Sequence, residues 1–148
     1  MHRKSEDGQA LIWFALFTAF IVVPLMALSM NYAHLARIAS RLQTATDAAC
    51  EDAAYSAVDY VAYRDSGEIT FRPGWYVVSV AQSTFWNVLS DHYRADFAPA
   101  LSVSPNYAAA TVTCTSTATV NLYPLGIPVG VTKTLVRQSI SAIRFSRR

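Results

Sequence analysis

The chain has 148 residues, 53% of them hydrophobic, and a formal net charge of +2. Once an N-terminal apolar run is set aside, that length leaves room for one small domain with a modest core and none for a second, catalytic one. Arg and Lys are scattered among Asp and Glu and cluster only at Arg144, Arg147 and Arg148, so the basic stripe of a nucleic-acid-binding surface is missing.

Residues 1–8, MHRKSEDG, form a short basic leader. From Ala10 to Met30 no charge occurs for about 21 residues, enough helix to cross a hydrocarbon core roughly 30 Å thick, and a transmembrane helix is predicted over residues 9–30. Arg3 and Lys4 before the run are nearly balanced by Arg37 and Arg41 after it, so charge alone does not orient it. A short basic segment, an apolar run and a long following domain make the ordinary export arrangement, which places the N-terminus in the cytoplasm and residues 31–148 outside it. Ala27-Leu28-Ser29 offers a small-x-small cleavage site. The apolar run, however, exceeds the roughly 7 to 15 residues of a secretory signal core, and the helical pattern continues past it. Pro24 is expected to kink the span.

From Asn31 to Arg64 there is no Gly or Pro, and Leu35, Ile38, Leu42, Ala45, Ala49 and Ala53 recur at steps of three and four. This is one helical stripe. It predicts a helix unbroken from Ala10 to Arg64, about 80 Å long at 1.5 Å per residue, ended at Asp65-Ser66-Gly67. The Ala-rich half of the stripe is a surface that another backbone can approach closely.

Beyond Gly67 the pattern turns to β. Ile69–Arg72 and Trp75–Val80 read as short strands around a Pro73-Gly74 turn. Ala81–Phe97 reads as a second helix, with Phe85, Leu89, Tyr93 and Phe97 on one face and Pro99 closing it. Leu101–Ser104 is a short strand. Over residues 110–122, Ala110, Val112, Cys114, Ser116, Ala118, Val120 and Leu122 alternate with Thr111, Thr113, Thr115, Thr117, Thr119 and Asn121, the signature of a half-buried strand with a Thr face outward. A loop over Pro124–Pro128 leads to a returning strand, Val131–Phe145. The predicted fold class is α+β: helix 31–65 lies on a small antiparallel sheet in a β-rich segment 68–146, with a second short helix.

Two cysteines occur, Cys50 on the long helix and Cys114 on the sheet face that should meet it. They lack metal-ligand spacing and are either a bridge, closing a loop of about 63 residues, or buried free thiols. Chemistry has no other address. Of three histidines, His2 is in the leader, His34 is beside the span, and His92 sits in Asp91-His92-Tyr93, where adjacent side chains on a helix point apart. Asp47, Glu51 and Asp52 read as a polar helix face, and the five glycines form no phosphate loop. No catalytic residue, metal site or cofactor is expected.

The segment from Gly8 to Ala57 resembles the N-terminal region of TadE-like and TadG-like proteins of bacterial Tad (Flp) pilus systems. The likeness lies in Gly8-Gln9-Ala10, Phe14-Ala15-Leu16, Pro24 and Leu42-Gln43-Thr44-Ala45-Thr46-Asp47-Ala48-Ala49. The later Thr/Val strand, Tyr-Pro-Leu-Gly loop and returning strand look similar too. The resemblance implies a type IV pilin-like minor pilin or pseudopilin, single-pass in the inner membrane, whose helix, with Trp13, Phe14 and Pro24, packs among like subunits. It implies cleavage by a prepilin peptidase between Gly8 and Gln9, and partnership with other pilin subunits and Tad assembly proteins. It implies no nucleic acid and no small-molecule substrate. Trp13 stands where prepilins commonly carry Glu, which leaves an uncleaved anchor as an alternative. A TadE-like role is the nearer match, because TadG-like proteins often carry a further large domain. The competing reading is an anchored binding module that recognises a surface, glycan or protein through Trp75, Tyr76, Trp86 and Tyr93.

Overall fold

A computed structural model describes residues 4–89, 97–122 and 131–143. His2, Asp91, His92, Tyr93, the Pro124–Pro128 loop and the terminal arginines lie outside the described residues. Two compact units divide the chain, Met1–Ala36 with Leu122–Val131, and Arg37–Asn121 with Thr132–Arg148.

Helical backbone runs from Lys4 to Ser56 as α1 (Lys4–Phe17), a π-helical turn (Thr18–Val22) and α2 (Val23–Ser56). Pro24 accounts for the π turn. It has no N–H to give, and in a regular α-helix its ring would meet the carbonyl of Phe20, four residues back. Ahead of it the Val23 N–H reaches the Thr18 carbonyl, five residues back, which widens the ladder where the proline must fit. The disturbance expected at Pro24 takes the form of this segment.

The second unit is built on the lower half of α2. The stripe read from the sequence is its buried face: Ile38, Leu42, Ala45, Ala49 and Ala53 are all inaccessible. The long helix does not reach Arg64, however. It stops at Ser56, and a separate helix α3 (Tyr60–Ser66) follows. The cause is a buried corner between them. Val58 leaves the helix to bridge Phe71, the Arg72 N–H bonds the Ala57 carbonyl at 2.9 Å, and the Asp59 N–H bonds the Thr70 carbonyl at 3.0 Å. The Asp59 carboxylate then caps α3, accepting from the N–H groups of Val61 and Ala62. Asp at an N-cap outweighs its weak preference for a helix interior. As expected, Gly67 closes this helix, at φ 73° with its N–H on the Tyr63 carbonyl, a left-handed cap that glycine adopts freely.

The β reading of residues 69–80 is corrected. Phe71 makes only an isolated bridge, and Trp75–Val80 belongs to helix α4 (Gly74–Val88). Val77, Ala81 and Phe85 are its buried residues, spaced by four. That helical period overrides the β preference of Tyr and Val, because burial of one face is worth more than propensity. The helix predicted over Ala81–Phe97 therefore starts earlier, and Phe97 is not part of it but a buried bridge partner of Val120.

The sheet is antiparallel and three-stranded, β1 (Ala100–Asn106), β2 (Thr111–Leu122) and β3 (Val131–Ala142), with β2 in the centre. Ala100 pairs with Thr117 and Asn106 with Thr111. Burial along β2 alternates as its sequence does: Val112, Cys114, Ser116, Ala118 and Val120 face the core. α4 packs against β1, and Thr84 of α4 donates to the Asp52 carboxylate of α2 at 2.5 Å. At the other end the Tyr107 hydroxyl donates to the Arg72 carbonyl at 2.8 Å while its ring lies 5.0 Å from that of Phe71.

Two substitutions test this packing. Ala49→Leu places a side chain where none fits and should lower head stability by about 1 to 3 kcal/mol, read from denaturant melts of the detergent-solubilised protein. Ala110 holds φ 48° in the β1–β2 turn, a conformation that disfavours any side chain. Ala110→Gly should raise stability by about 1 kcal/mol in the same melts.

Candidate functional site

Two features set this chain apart chemically, an apolar helix with no cover and a pair of buried thiols. On α1, Leu11, Ile12, Trp13 and Phe14 are each more than 60% exposed. Successive helical residues step by about 100°, so four in a row encircle the helix. The exposed apolar surface is therefore all round and not a stripe, and it continues through Phe20, Leu25, Met26, Leu28 and Met30. A helix apolar on every side needs a lipid or protein surround. The helix from Gly8 is long and apolar enough to cross a membrane, compatible with a single-pass anchor.

Its few polar side chains are consistent with that surround. The Thr18 hydroxyl donates to the Phe14 carbonyl at 2.9 Å and the Ser29 hydroxyl to the Leu25 carbonyl at 2.8 Å. Each satisfies itself within its own helix, as a hydroxyl in hydrocarbon must. Gly8 lies inside α1. A Cβ there would meet nothing within 4 Å, and its φ is not left-handed. The fold does not call for glycine at this position, where it costs about 1 kcal/mol relative to Ala. Gly8 and Gln9 are both exposed.

No protein-family model matches the chain, and neither a curated protein nor a solved structure does. Function must be argued from these surfaces and from the core of the head.

In that core, polar groups sit where α2 crosses β2. Thr46 and Ser116 are fully buried, with hydroxyl oxygens 2.6 Å apart. Thr46 also donates to the Leu42 carbonyl at 2.6 Å. A hydroxyl has one proton, so Ser116 is the donor between the two. One helical turn later, Cys50 is equally buried, its one thiol proton shared between the carbonyls of Val112 at 3.2 Å and Ser139 at 3.4 Å. Cys50 and Cys114 are free thiols. Interaction with the Cys114 thiol pulls Cys50 down to about 6, against the opposing effect of burial. That same interaction, with burial and the neighbouring Cys50 charge, pushes Cys114 up.

Sequence reading brought Cys50 and Cys114 to the same interface but missed the Thr46–Ser116 pair. Its signal was a matched offset: Thr46 precedes Cys50 by one helical turn, and Ser116 follows Cys114 by one strand repeat. Among the described residues the rest of the head has little chemistry. A groove of about 350 Å³ lined by Glu51, Ala54, Tyr55, Ile140, Ser141 and Ala142 holds one carboxylate and two hydroxyls. Among the described residues no cluster of His, Cys, Asp and Glu is suited to a metal. Of the aromatics named as contacts, Trp75 is 72% exposed and Tyr76 lies edge-on to it beneath the Arg72 guanidinium. Trp86 is half-buried against Phe85.

A double-mutant cycle checks the hydroxyl pair. Thr46→Val strands the Ser116 donor and should cost about 1 to 3 kcal/mol. Ser116→Ala should cost less, since Thr46 keeps its Leu42 bond. The double variant should recover part of the Thr46→Val loss, a coupling of at least about 0.5 kcal/mol in equilibrium melts.

Proposed function

We propose that this chain is a TadE-like minor pilin or pseudopilin, a structural and assembly component of a Tad-type pilus or a related secretion system. It crosses the bacterial inner membrane once, with residues 1–8 in the cytoplasm and the α+β head outside. It supports filament initiation and surface adherence, has no catalytic role, and is cut by a prepilin peptidase between Gly8 and Gln9. The observation that carries this reading is the apolar helix. It is exposed on every side within its own fold, while the lower half of α2 is built into a compact head. Such a helix can exchange lipid for like helices without unfolding the head, because its own hydrogen bonds are internal. Gly8 supports the processing step, since a glycine that the helix does not need is explained by recognition from outside.

A second reading rests on one observation, the exposure of Trp75 beside Tyr76 and Arg72. The head would then be a membrane-anchored binding module that never enters a filament. Recovery of the protein in sheared filaments favours the pilin; retention in the membrane with filaments free of it favours the module.

Intact mass of the protein from its native membrane tests processing, alongside Gly8→Leu. The expected result is a wild-type mass lacking residues 1–8 and a full-length mass for the variant. Full-length mass in both makes the helix a permanent anchor and limits the role to an accessory one at the membrane.

A further inference from the structure

We infer that Cys50 and Cys114 form a disulfide that fastens α2 to β2 once the head is in an oxidising compartment, a setting that rests on the topology proposed above. Three observations carry the site. Both sulfurs are fully buried at one helix–sheet contact. The contact between Thr46 and Ser116 at 2.6 Å sets the register. From there four helical residues advance about 6 Å and two strand residues about 6.6 Å, so Cys50 arrives opposite Cys114 by the geometry of the two elements. The Cys50 bonds to the Val112 and Ser139 carbonyls anchor the same sulfur between β2 and β3.

The oxidant is a disulfide, on an oxidoreductase or a small thiol carrier. One cysteine thiolate attacks it, forming a mixed disulfide and releasing one oxidant sulfur as thiol. The other cysteine gives its proton to water and attacks the mixed disulfide, making the Cys50–Cys114 bond and expelling the second oxidant sulfur, which is protonated. The two protein thiols lose two electrons and two protons, and the oxidant gains both. Since neither sulfur is exposed in the packed head, exchange takes place before α2 closes on the sheet. The bridge then closes a loop of about 63 residues and ties the helix to the centre of the sheet, so that tension on the helix is carried by a covalent bond.

The test uses the full chain isolated from its native membrane with free thiols blocked by iodoacetamide in denaturant, followed by intact mass. Protease treatment of spheroplasts records on which side the head lies. The expected result is a protease-accessible head, no alkylation without reductant, and two alkyl groups after reduction. An accessible head with two alkylated thiols overturns the bridge and leaves the topology standing. If the head is protected, the topology fails, and the full chain unfolded with reductant and refolded in a glutathione redox buffer decides. A product about 2 Da lighter upholds the pair as a disulfide site, and two free thiols overturn it.

Discussion

The head depends on how closely α2 can approach β2. Ala45, Ala49 and Ala53 keep the helix surface low where the strand crosses it, and on the strand side Cys114, Ser116 and Ala118 are also small. Two low surfaces bring backbones together, and larger residues at the margins, Ile38 and Leu42 on the helix, Val112 and Val120 on the strand, fill the space around them. Such a contact gains dispersion energy from many near atoms and has little tolerance for added volume.

Closeness brings an obligation, since polar side chains in that layer have no access to water. Thr46, Ser116 and Cys50 meet it through one another and through the carbonyls of Leu42, Val112 and Ser139. Among the described residues no buried side-chain nitrogen or oxygen lacks a partner. Polar pairing adds what apolar packing lacks, which is a register. A sliding helix would keep most of its Ala contacts but would strand the Ser116 donor, an error of about 1 to 3 kcal/mol. The thiols share that register, so a bridge between them would hold it.

The apolar end of the chain answers to a different solvent. Its hydroxyls turn back on their own helix, its proline is accommodated by a π turn, and its large side chains point outward on every side. The head buries an apolar core of its own, Leu42, Val77, Phe85, Val112 and Val120 among it. A chain so divided presents two kinds of surface: an uncovered apolar helix at one end, and the exposed Trp75 and the Thr-bearing strand on the head. The two cysteines lie inside the core.

Much of this was legible in the residues. The uncharged run, the stripe from Ile38 to Ala53, the strict alternation along β2, the cap at Gly67 and the α+β class all follow from periodicity, and periodicity is a local property. What failed was also local in appearance. Tyr76, Val77 and Val78 have β preference, yet they lie in α4 because Val77, Ala81 and Phe85 bury one face together. The helix read through to Arg64 breaks at Ala57 because Val58 and Asp59 find partners in Phe71 and Thr70. The Thr46–Ser116 pair joins residues 70 apart in sequence. The sequence by itself therefore determined the elements that repeat with a single period and the one helix long and apolar enough to cross a membrane. Tertiary structure alone decided where the long helix stops, which β-branched run becomes helix, and which polar groups share the core, because each is settled by a partner distant along the chain.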